Sequence, residues 1–575
     1  MKKKILRHSM PISASLQSID LHPILRQVYA NRGINSPEQL ETDLSGLLPF
    51  HDLSGIDTAV TLLFTTIYNQ QRILIVGDYD ADGATSTVLM MRVLRRFGAK
   101  HVDFLVPNRF EYGYGLTPAI VKLASKSKPD LIITVDNGIS SIEGVKVANE
   151  LGIKVIVTDH HLPDAELPQA AAIVNPNQPN DKFASKNLAG VGVAFYVLLA
   201  LRAKLREESW FVLQNINEPN LADYLDLVAL GTVADVVALD KNNRILVHQG
   251  LRRIKSRKGC MGIFALLKIA NRSYTDLAVG DLGFAVGPRL NAAGRLDDMA
   301  LGINCLLTDD YDHANKMARE LNELNNERRV IEQEMRKEAL SILSDYEVDE
   351  DKALPFGLCL HNENWHQGVV GIVASRLKDR LHRPVVAFAL QEENLLKGSA
   401  RSVPGLHVRE VISEISIKHP GLIVKFGGHA MAAGLNIAKD NYSQFAQLFD
   451  EEVRSRLNEE DLQGKFISDG KLEKDDLSFE LAELLRSAGP WGQGFSEPLF
   501  DGKFRLLQQR IVGDKHLKLR LELDSQIIDA IAFNVDIAVW PNKQCENVYA
   551  VYRLGVNEYL GKRSLQLVVE CLEMV

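Results

Sequence analysis

Three aspartates at every second position, Asp78, Asp80 and Asp82, follow a short apolar run at residues 73–76. Gly83 interrupts them, and residues 84–96 then read as a helix. An apolar run that ends in acids and a glycine, and then turns into a helix, is the first βα unit of an α/β sheet. In open sheets of this class, ligands gather at the carboxyl ends of the strands. Three carboxylates there repel one another and are expensive to desolvate. A divalent cation relieves both problems, because oxygen ligands suit Mg²⁺ and Mn²⁺. The plain alternative is an acidic turn facing water.

The pattern repeats along the chain, which argues against that alternative. Further strand candidates lie at residues 102–106, 131–135, 154–158 and 171–174, with helical stretches at 117–127 and 142–151. Strands alternating with helices at this spacing give a mostly parallel sheet. The run at 131–135 leads into Asp136-Asn137-Gly138, and the run at 154–158 into Asp159-His160-His161. Three strands therefore deliver carboxylates or imidazoles to one edge. Gathered without a cation in a partly dry cleft, such groups would cost several kcal/mol. Asp235, an acid within the apolar segment LVALGTVADVVALD, needs a partner if buried and makes a fourth contribution. So many carboxylates exceed the needs of one octahedral ion. A shared carboxylate such as Asp136 suits a pair of ions about 3.5–4 Å apart, the spacing used for in-line displacement at phosphorus. A histidine ligand shifts the choice from Mg²⁺ toward Mn²⁺.

The motifs DYDADG at 78–83, VDNG at 135–138, DHH at 159–161 and VADVVALD at 233–240 resemble those of the DHH phosphoesterase family. GPRLNAAGRLDD at 287–298, WHQGVVGIVASR at 365–376 and KFGGHAMAAG at 425–434 resemble the bacterial single-strand-specific 5′→3′ DNA exonucleases of that family. The likeness runs from about residue 50 to the C-terminus. It implies that Asp80, Asp82, Asp136, His160 and Asp235 are catalytic metal ligands, with Asp78 and Asp159 in or beside the same shell. It also implies that His161 faces the scissile phosphate, and that the cofactor is two divalent cations, Mn²⁺ or Mg²⁺.

The resemblance divides the α/β chain as follows. A helical extension at 1–50 precedes a DHH domain with a mostly parallel sheet and a helical subregion at 51–307. A connecting helix at 308–349 leads to a second α/β domain, DHHA1, at 350–455, and an OB-fold β barrel at 456–575 follows. The sequence supports these divisions. Residues 311–346 lack Gly and Pro and carry apolar residues at helical spacing, enough for a helix up to about 54 Å long. Alternating runs at 503–508, 517–523, 527–533, 548–553 and 564–570 suit a small barrel.

Substrate contacts are expected at several places. In PNRFEYGYGL, 107–116, Arg109 can pair with phosphate and Tyr114 can offer a stacking face; a loop packed on the core is the rival reading. Arg289 and Arg295 stand among small residues that let a nucleic-acid backbone approach. GSARS at 398–402 and GGHAMAAG at 427–434 read as Gly/Ser/Arg/His loops, and glycine-exposed N–H groups bind anions. Ser399, Arg401, Gly428 and His429 are assigned there to substrate phosphate, including a 5′ end. Lys515, Lys518, Arg520, Lys562 and Arg563 give the barrel cations for single strands.

Composition narrows the setting. A net charge of −8 means that nucleic-acid binding must come from local basic clusters or from metals. No apolar run approaches the ~20 residues of a membrane span, and the basic N-terminus lacks the apolar stretch of a signal peptide. Five scattered cysteines without CxxC spacing suit reduced thiols in the cytoplasm. The resulting expectation is a two-metal, single-stranded-DNA-specific 5′→3′ exonuclease that releases 5′-mononucleotides in DNA repair and recombination. It would work as a monomer, with a helicase supplying single strands and single-strand-binding protein as a partner. The rivals are a DHH phosphodiesterase for short oligonucleotides or cyclic dinucleotides, and a non-catalytic DNA-binding factor. The first would not need the barrel; the second should have lost acids that here stand intact.

Overall fold

All five residues of β1 (Ile73–Gly77) and of β3 (Leu131–Val135) are buried. Strands covered on both faces belong inside a parallel sheet, with crossover helices on either side. A computed structural model of the chain, which describes residues 4–108, 111–347, 354–559 and 561–575, contains that sheet. With β2 (Val102–Leu105), β4 (Lys154–Thr158) and β5 (Ala172–Val174), the strand order is β2-β1-β3-β4-β5, and every neighbouring pair is parallel. Helices α1 (Ala81–Arg96), α2 (Pro118–Ala124) and α3 (Ile142–Glu150) connect the strands. In α2, Thr117 accepts from the Ile120 amide as cap and Pro118 starts the helix. One face of the sheet packs Leu74, Val76, Ile132, Val155 and Val157 against Ile120, Val121, Val145 and Ala148 of α2 and α3. Beyond the sheet, α4 (Gly190–Glu207) and α5 (Leu225–Ala234) are helices with few exposed residues. Arginines 289 and 295 lie on helix α6 (Gly287–Leu296), which follows a turn of π-helix at Leu282–Val286. Helix α7 (Tyr311–Glu347) has 37 residues, as the absence of Gly and Pro predicted.

A second sheet follows, built from β6 (Leu358–His361), β7 (Val385–Glu392), β8 (Leu395–Arg401), β9 (Ile423–Gly428) and β10 (Ala432–Ala438), in the order β9-β10-β8-β7-β6. Only β6 and β7 run parallel. Helix α8 (Val370–Leu381) forms the crossover between them; α9 (Val408–Lys418) and α10 (Tyr442–Arg454) complete the layer. The stretches expected as loops, GSARS and GGHAMAAG, are largely strand. Residues 398–401 end β8, Gly427 and Gly428 end β9, and residues 432–434 begin β10. Their small residues disguise the alternation: Gly398 and Ala400 face in while Ser399 and Arg401 are partly exposed.

The C-terminal strands β11 (Phe500–Val512), β12 (His516–Leu523), β13 (Gln526–Ala532), β14 (Asn547–Tyr559) and β15 (Lys562–Met574) close a barrel in the order β11-β12-β13-β15-β14. The β13–β15 pair is parallel and the others antiparallel. The described residues form two compact units. One comprises residues 5–290, 299–318 and 466–575, and so holds both the parallel sheet and the barrel; the other contains 291–298 and 319–465. Within the first unit, the N-terminal segment is bound by charge. Arg32 and Asp469 pair at 2.8 Å with both side chains buried, and Arg7 reaches the fully buried Asp501 at 2.7 Å. The extension is mostly short helices, as expected, but it begins with a strand at Lys4–Arg7.

Candidate metal centre

Each acid reaches the centre because a backbone feature puts it there. Asp78 leaves the end of β1. Asp80 caps α1, its Oδ1 accepting from the Asp82 and Gly83 amides at 2.9 and 3.0 Å. Asp82, in the first turn of α1, is only 1% exposed. Its two oxygens accept from Gly190 N at 2.7 Å and Val191 N at 2.9 Å, at the start of α4, where free amides favour an anion. A Cβ on Gly190 would come within 2.6 Å of the Asp136 side chain, so the approach of α4 requires glycine. Asp136 leaves β3 with φ +62°, a conformation unusual for a residue with a Cβ. The neighbouring Asn137 amide ties this turn down by donating to Val76 O and Val135 O at 3.1 and 2.9 Å. Asp235 ends α5, and Val236 after it has φ +62°.

These residues converge. Ligand atoms of Asp78, Asp80 and Asp136 lie within 4.8 Å of one another, as do those of Asp82, His160 and Asp235, and those of Asp136, His160 and His161. Asp136 and His160 are each shared between two groups. His160 Nε2 lies 3.1 Å from Asp136 Oδ1 and 3.5 Å from Asp235 Oδ2. Yet His160 Nε2 and Asp136 Oδ1 are both buried and make no hydrogen bond. Two potential ligand atoms that close, without a hydrogen bond and inside a ring of carboxylates, fit coordination to a cation. The electrostatics agree. Burial and the Asp235 charge push Asp82 up to about 7; burial and Asp80 push Asp235 up to about 7. Asp136 is driven well above the carboxylate range by burial and by Asp82 and Asp80. A cation would reverse this repulsion.

Asp159 stands behind the cluster. Its Oδ2 accepts from Ile139 N at 2.9 Å; its Oδ1 accepts from His160 N at 2.7 Å, His161 N at 3.1 Å and the His161 ring Nδ1 at 2.7 Å. Among the described residues it belongs to none of the three metal groups. Burial opposes charge on both partners, but each outweighs that for the other. Asp159 is held down at about 2 and His161 is raised to about 9. Tyr114 leans over the same histidine. Although 43% of its surface is exposed, its hydroxyl lies 3.3 Å from Asp136 O and from the His161 ring nitrogens. Arg109 lies outside the described residues.

The remaining candidates sit elsewhere in the chain. Arg289 is largely buried on α6 and donates through Nη1 to Ala285 O at 2.6 Å. Arg295 donates through Nη1 to Gly368 O at 3.0 Å. On β8, Arg401 Nη1 donates to Ser399 Oγ at 2.9 Å. Both side chains lie against the first turn of α8: a Cβ on Gly371 would come within 2.8 Å of Arg401 Nη2 and 2.9 Å of Ser399 Oγ. His429 caps the β9–β10 hairpin, its amide donating to Ala432 O at 2.7 Å, and Gly428 supplies the required φ of +138°. Ala432 pairs with Arg401 across the sheet, so His429 and Arg401 share one sheet end.

Comparison with known proteins decides the family. The DHH family N-terminal domain matches residues 72–232, the DHHA1 domain residues 354–455 and the RecJ OB domain residues 468–571. The single-stranded-DNA-specific exonuclease RecJ of Escherichia coli (strain K12) is 53% identical over 553 residues, 96% of each chain. The chain belongs to the RecJ family. The RecJ of Haemophilus influenzae is 49% identical over 579 residues, covering 100% of both. The crystal structure of RecJ in complex with Mn²⁺ from Thermus thermophilus superposes with a TM-score of 0.81 at 28% identity, covering 100% of this chain and 80% of that one.

Two contributors to this RecJ-family centre, and one glycine of the second unit, escaped the sequence reading. Asn137, which braces the β3 turn, was visible only as part of VDNG. The Gly190 and Val191 amides that hold Asp82 lie in LAGVGVAF, a glycine-rich helix start whose signal was present but unassigned. In the second unit, Gly371, which lets Arg401 and Ser399 approach α8, stood in WHQGVVGIVASR without an assigned task.

Proposed function

We propose that this RecJ-family chain is a metal-dependent, single-stranded-DNA-specific exonuclease that works in the 5′→3′ direction and releases 5′-mononucleotides. The observation that carries the reading is the set of three overlapping ligand groups sharing Asp136 and His160, in a chain aligned end to end with RecJ exonucleases. Asp78, Asp80, Asp82, Asp136, His160 and Asp235 would hold two cations, Mn²⁺ or Mg²⁺, the oxygen-rich set with imidazole suiting Mn²⁺ in particular. When bound, these ions supply Lewis-acid polarisation of the phosphate and lower the pKa of water.

The protein's own groups do the rest. The Gly190 and Val191 amides keep both Asp82 oxygens in place, and Asn137 keeps the Asp136 turn from relaxing. Asp159 acts as a positioning residue. It accepts from His161 Nδ1 and so orients the ring, whose protonated form can donate to a phosphate oxygen. Ser399 and Arg401, beside the first turn of α8, and His429, at the same sheet end as Arg401, would bind phosphate at the 5′ end; the helix start and the guanidinium both favour an anion. Arg109, Arg289 and Arg295 neutralise backbone charge, and the barrel's Lys515, Lys518, Arg520 and Lys562 hold the strand further along. Arg563 is a weaker candidate, since it pairs with Glu483 at 2.6 Å.

The setting follows from the substrate: cytoplasmic DNA repair and recombination as a monomer, with a helicase to expose single strands and single-strand-binding protein to deliver them. The test is digestion of single-stranded DNA, duplex DNA and dinucleotides by the purified chain in Mn²⁺, Mg²⁺ or chelator. The reading requires metal-dependent loss of the single strand alone. Cleavage confined to dinucleotides would replace it with a small-substrate phosphodiesterase.

A further inference from the structure

Tyr114 belongs to a loop rather than to a strand end, yet its hydroxyl joins two strand ends. It lies 3.3 Å from the carbonyl oxygen of Asp136, at the end of β3, and 3.3 Å from the ring nitrogens of His161, past the end of β4. The ring meets His161 edge-on at 5.8 Å between centroids and 72° between planes; Tyr79 meets it in the same way from another side, at 6.1 Å and 76°. Asp159 fixes His161 from behind at 2.7 Å, through a carboxylate that also accepts three main-chain amides. The imidazole is thus held at Nδ1 by a rigid acceptor. The Tyr114 oxygen adds a second contact, equidistant from the two ring nitrogens. A phenol has one proton to donate; given to the Asp136 carbonyl, it sets the hydroxyl oxygen against the imidazole edge, 3.3 Å from each ring nitrogen, and leaves the Nε2 proton to the phosphate.

We propose that Tyr114 is a positioning residue for His161, its hydroxyl tying the imidazole to the Asp136 main chain so that Nε2 meets the scissile phosphate in one orientation. The inference rests on the exonuclease reading above and assigns Tyr114 a task different from base stacking. A stacked base needs the face of the ring, and the hydroxyl is immaterial to it. A tether needs the hydroxyl, and the face is immaterial.

Tyr114→Phe and Tyr114→Ala separate the two. Initial rates on single-stranded DNA in Mn²⁺ give kcat and KM, and Mn²⁺ titration of the chelator-treated protein reports the metal shell. Loss of the hydroxyl should lower kcat by about 10- to 100-fold in both variants, leaving KM within about twofold and Mn²⁺ binding unchanged. Three results would overturn the proposal. Tyr114→Phe could keep the wild-type kcat; Tyr114→Ala alone could raise KM, which is the stacking result; or Tyr114→Phe could lose Mn²⁺, which would make the hydroxyl part of the metal shell. Failure of the exonuclease reading itself shows separately, as a wild-type protein that leaves single-stranded DNA intact in the same assay.

Discussion

Asp235→Asn should make the metal-free protein more stable and the metal-loaded protein less stable than wild type. The side chain keeps its shape but loses a charge that burial and Asp80 disfavour. Asp235 is raised from 3.8 to about 7 in the folded chain. At about 1.4 kcal/mol per pH unit, that shift corresponds to a penalty of about 4.5 kcal/mol once the carboxylate is ionised. A folded-state value above the unfolded one means that the folded chain holds the extra proton. The penalty is therefore absent near pH 4, grows as pH rises, and is complete above about 7. Water reaching the side chain, 23% exposed, and proton sharing with Asp82 and Asp136 lower the expected gain to about 1–4 kcal/mol at pH 8, or several degrees in Tm. In Mn²⁺ the order should invert once the metal's contribution exceeds that gain, which about a thousand times Kd ensures at about 4.1 kcal/mol. Wild type gains about 2.7 kcal/mol at a hundred times Kd, and the variant, missing a ligand, gains far less. Thermal melting in chelator and in Mn²⁺, at pH 5 and pH 8, reads all four states. A variant less stable than wild type in chelator at pH 8 would refute the argument. It would mean that the 3.5 Å approach of His160 outweighs the repulsion.

Asp136→Ala and His160→Ala each remove a ligand shared by two groups, so each should lower kcat at least about a thousandfold and abolish tight Mn²⁺ binding; steady-state kinetics and metal titration check this. Because Asp82 and Asp235 both sit at about 7 without metal, protons should compete with the ions. Mn²⁺ affinity measured by titration should fall about 10- to 100-fold from pH 8 to pH 6. Arg401→Ala should raise KM for DNA bearing a 5′-phosphate far more than for DNA ending in a 5′-hydroxyl, read from paired substrates. Arg32→Ala should destabilise the first unit by about 3–5 kcal/mol in chemical denaturation, since Asp469 would be left buried without its cation.

The parallel sheet was legible because it is written in local signals: β1, β3 and β4 are short apolar runs, and each ends in polar residues that converge in the candidate metal groups. The metal groups follow directly, since strand ends in a parallel sheet lie on one edge and Asp78, Asp80, Asp82, Asp136 and His160 all occupy strand ends or the turns after them. Asp235 was legible for a different reason, as an acid in an apolar helix. What the sequence hid was which carboxylate oxygens remain free. Asp159 looks like a ligand beside His160, but the turn folds back so that Ile139, His160 and His161 use its oxygens. One of those donors, the Ile139 amide, lies 20 residues away in the chain. The second sheet was only half legible, because the ends of β8 and β9 and the start of β10 are rich in Gly, Ala and Ser. Their alternation is carried by burial rather than by hydrophobicity. The task of Tyr114 was hidden too, since reach across a loop leaves no mark on spacing.

The most direct test uses one strand of DNA labelled at its 5′ end and the same strand labelled at its 3′ end, incubated in Mn²⁺ with duplex as control. The account predicts immediate release of the 5′ label as mononucleotide, gradual shortening of the 3′-labelled strand, intact duplex, and no reaction in chelator or with Asp80→Ala. Tight binding of the single strand with no metal-dependent release of label would contradict it and leave a binding protein on a nuclease fold.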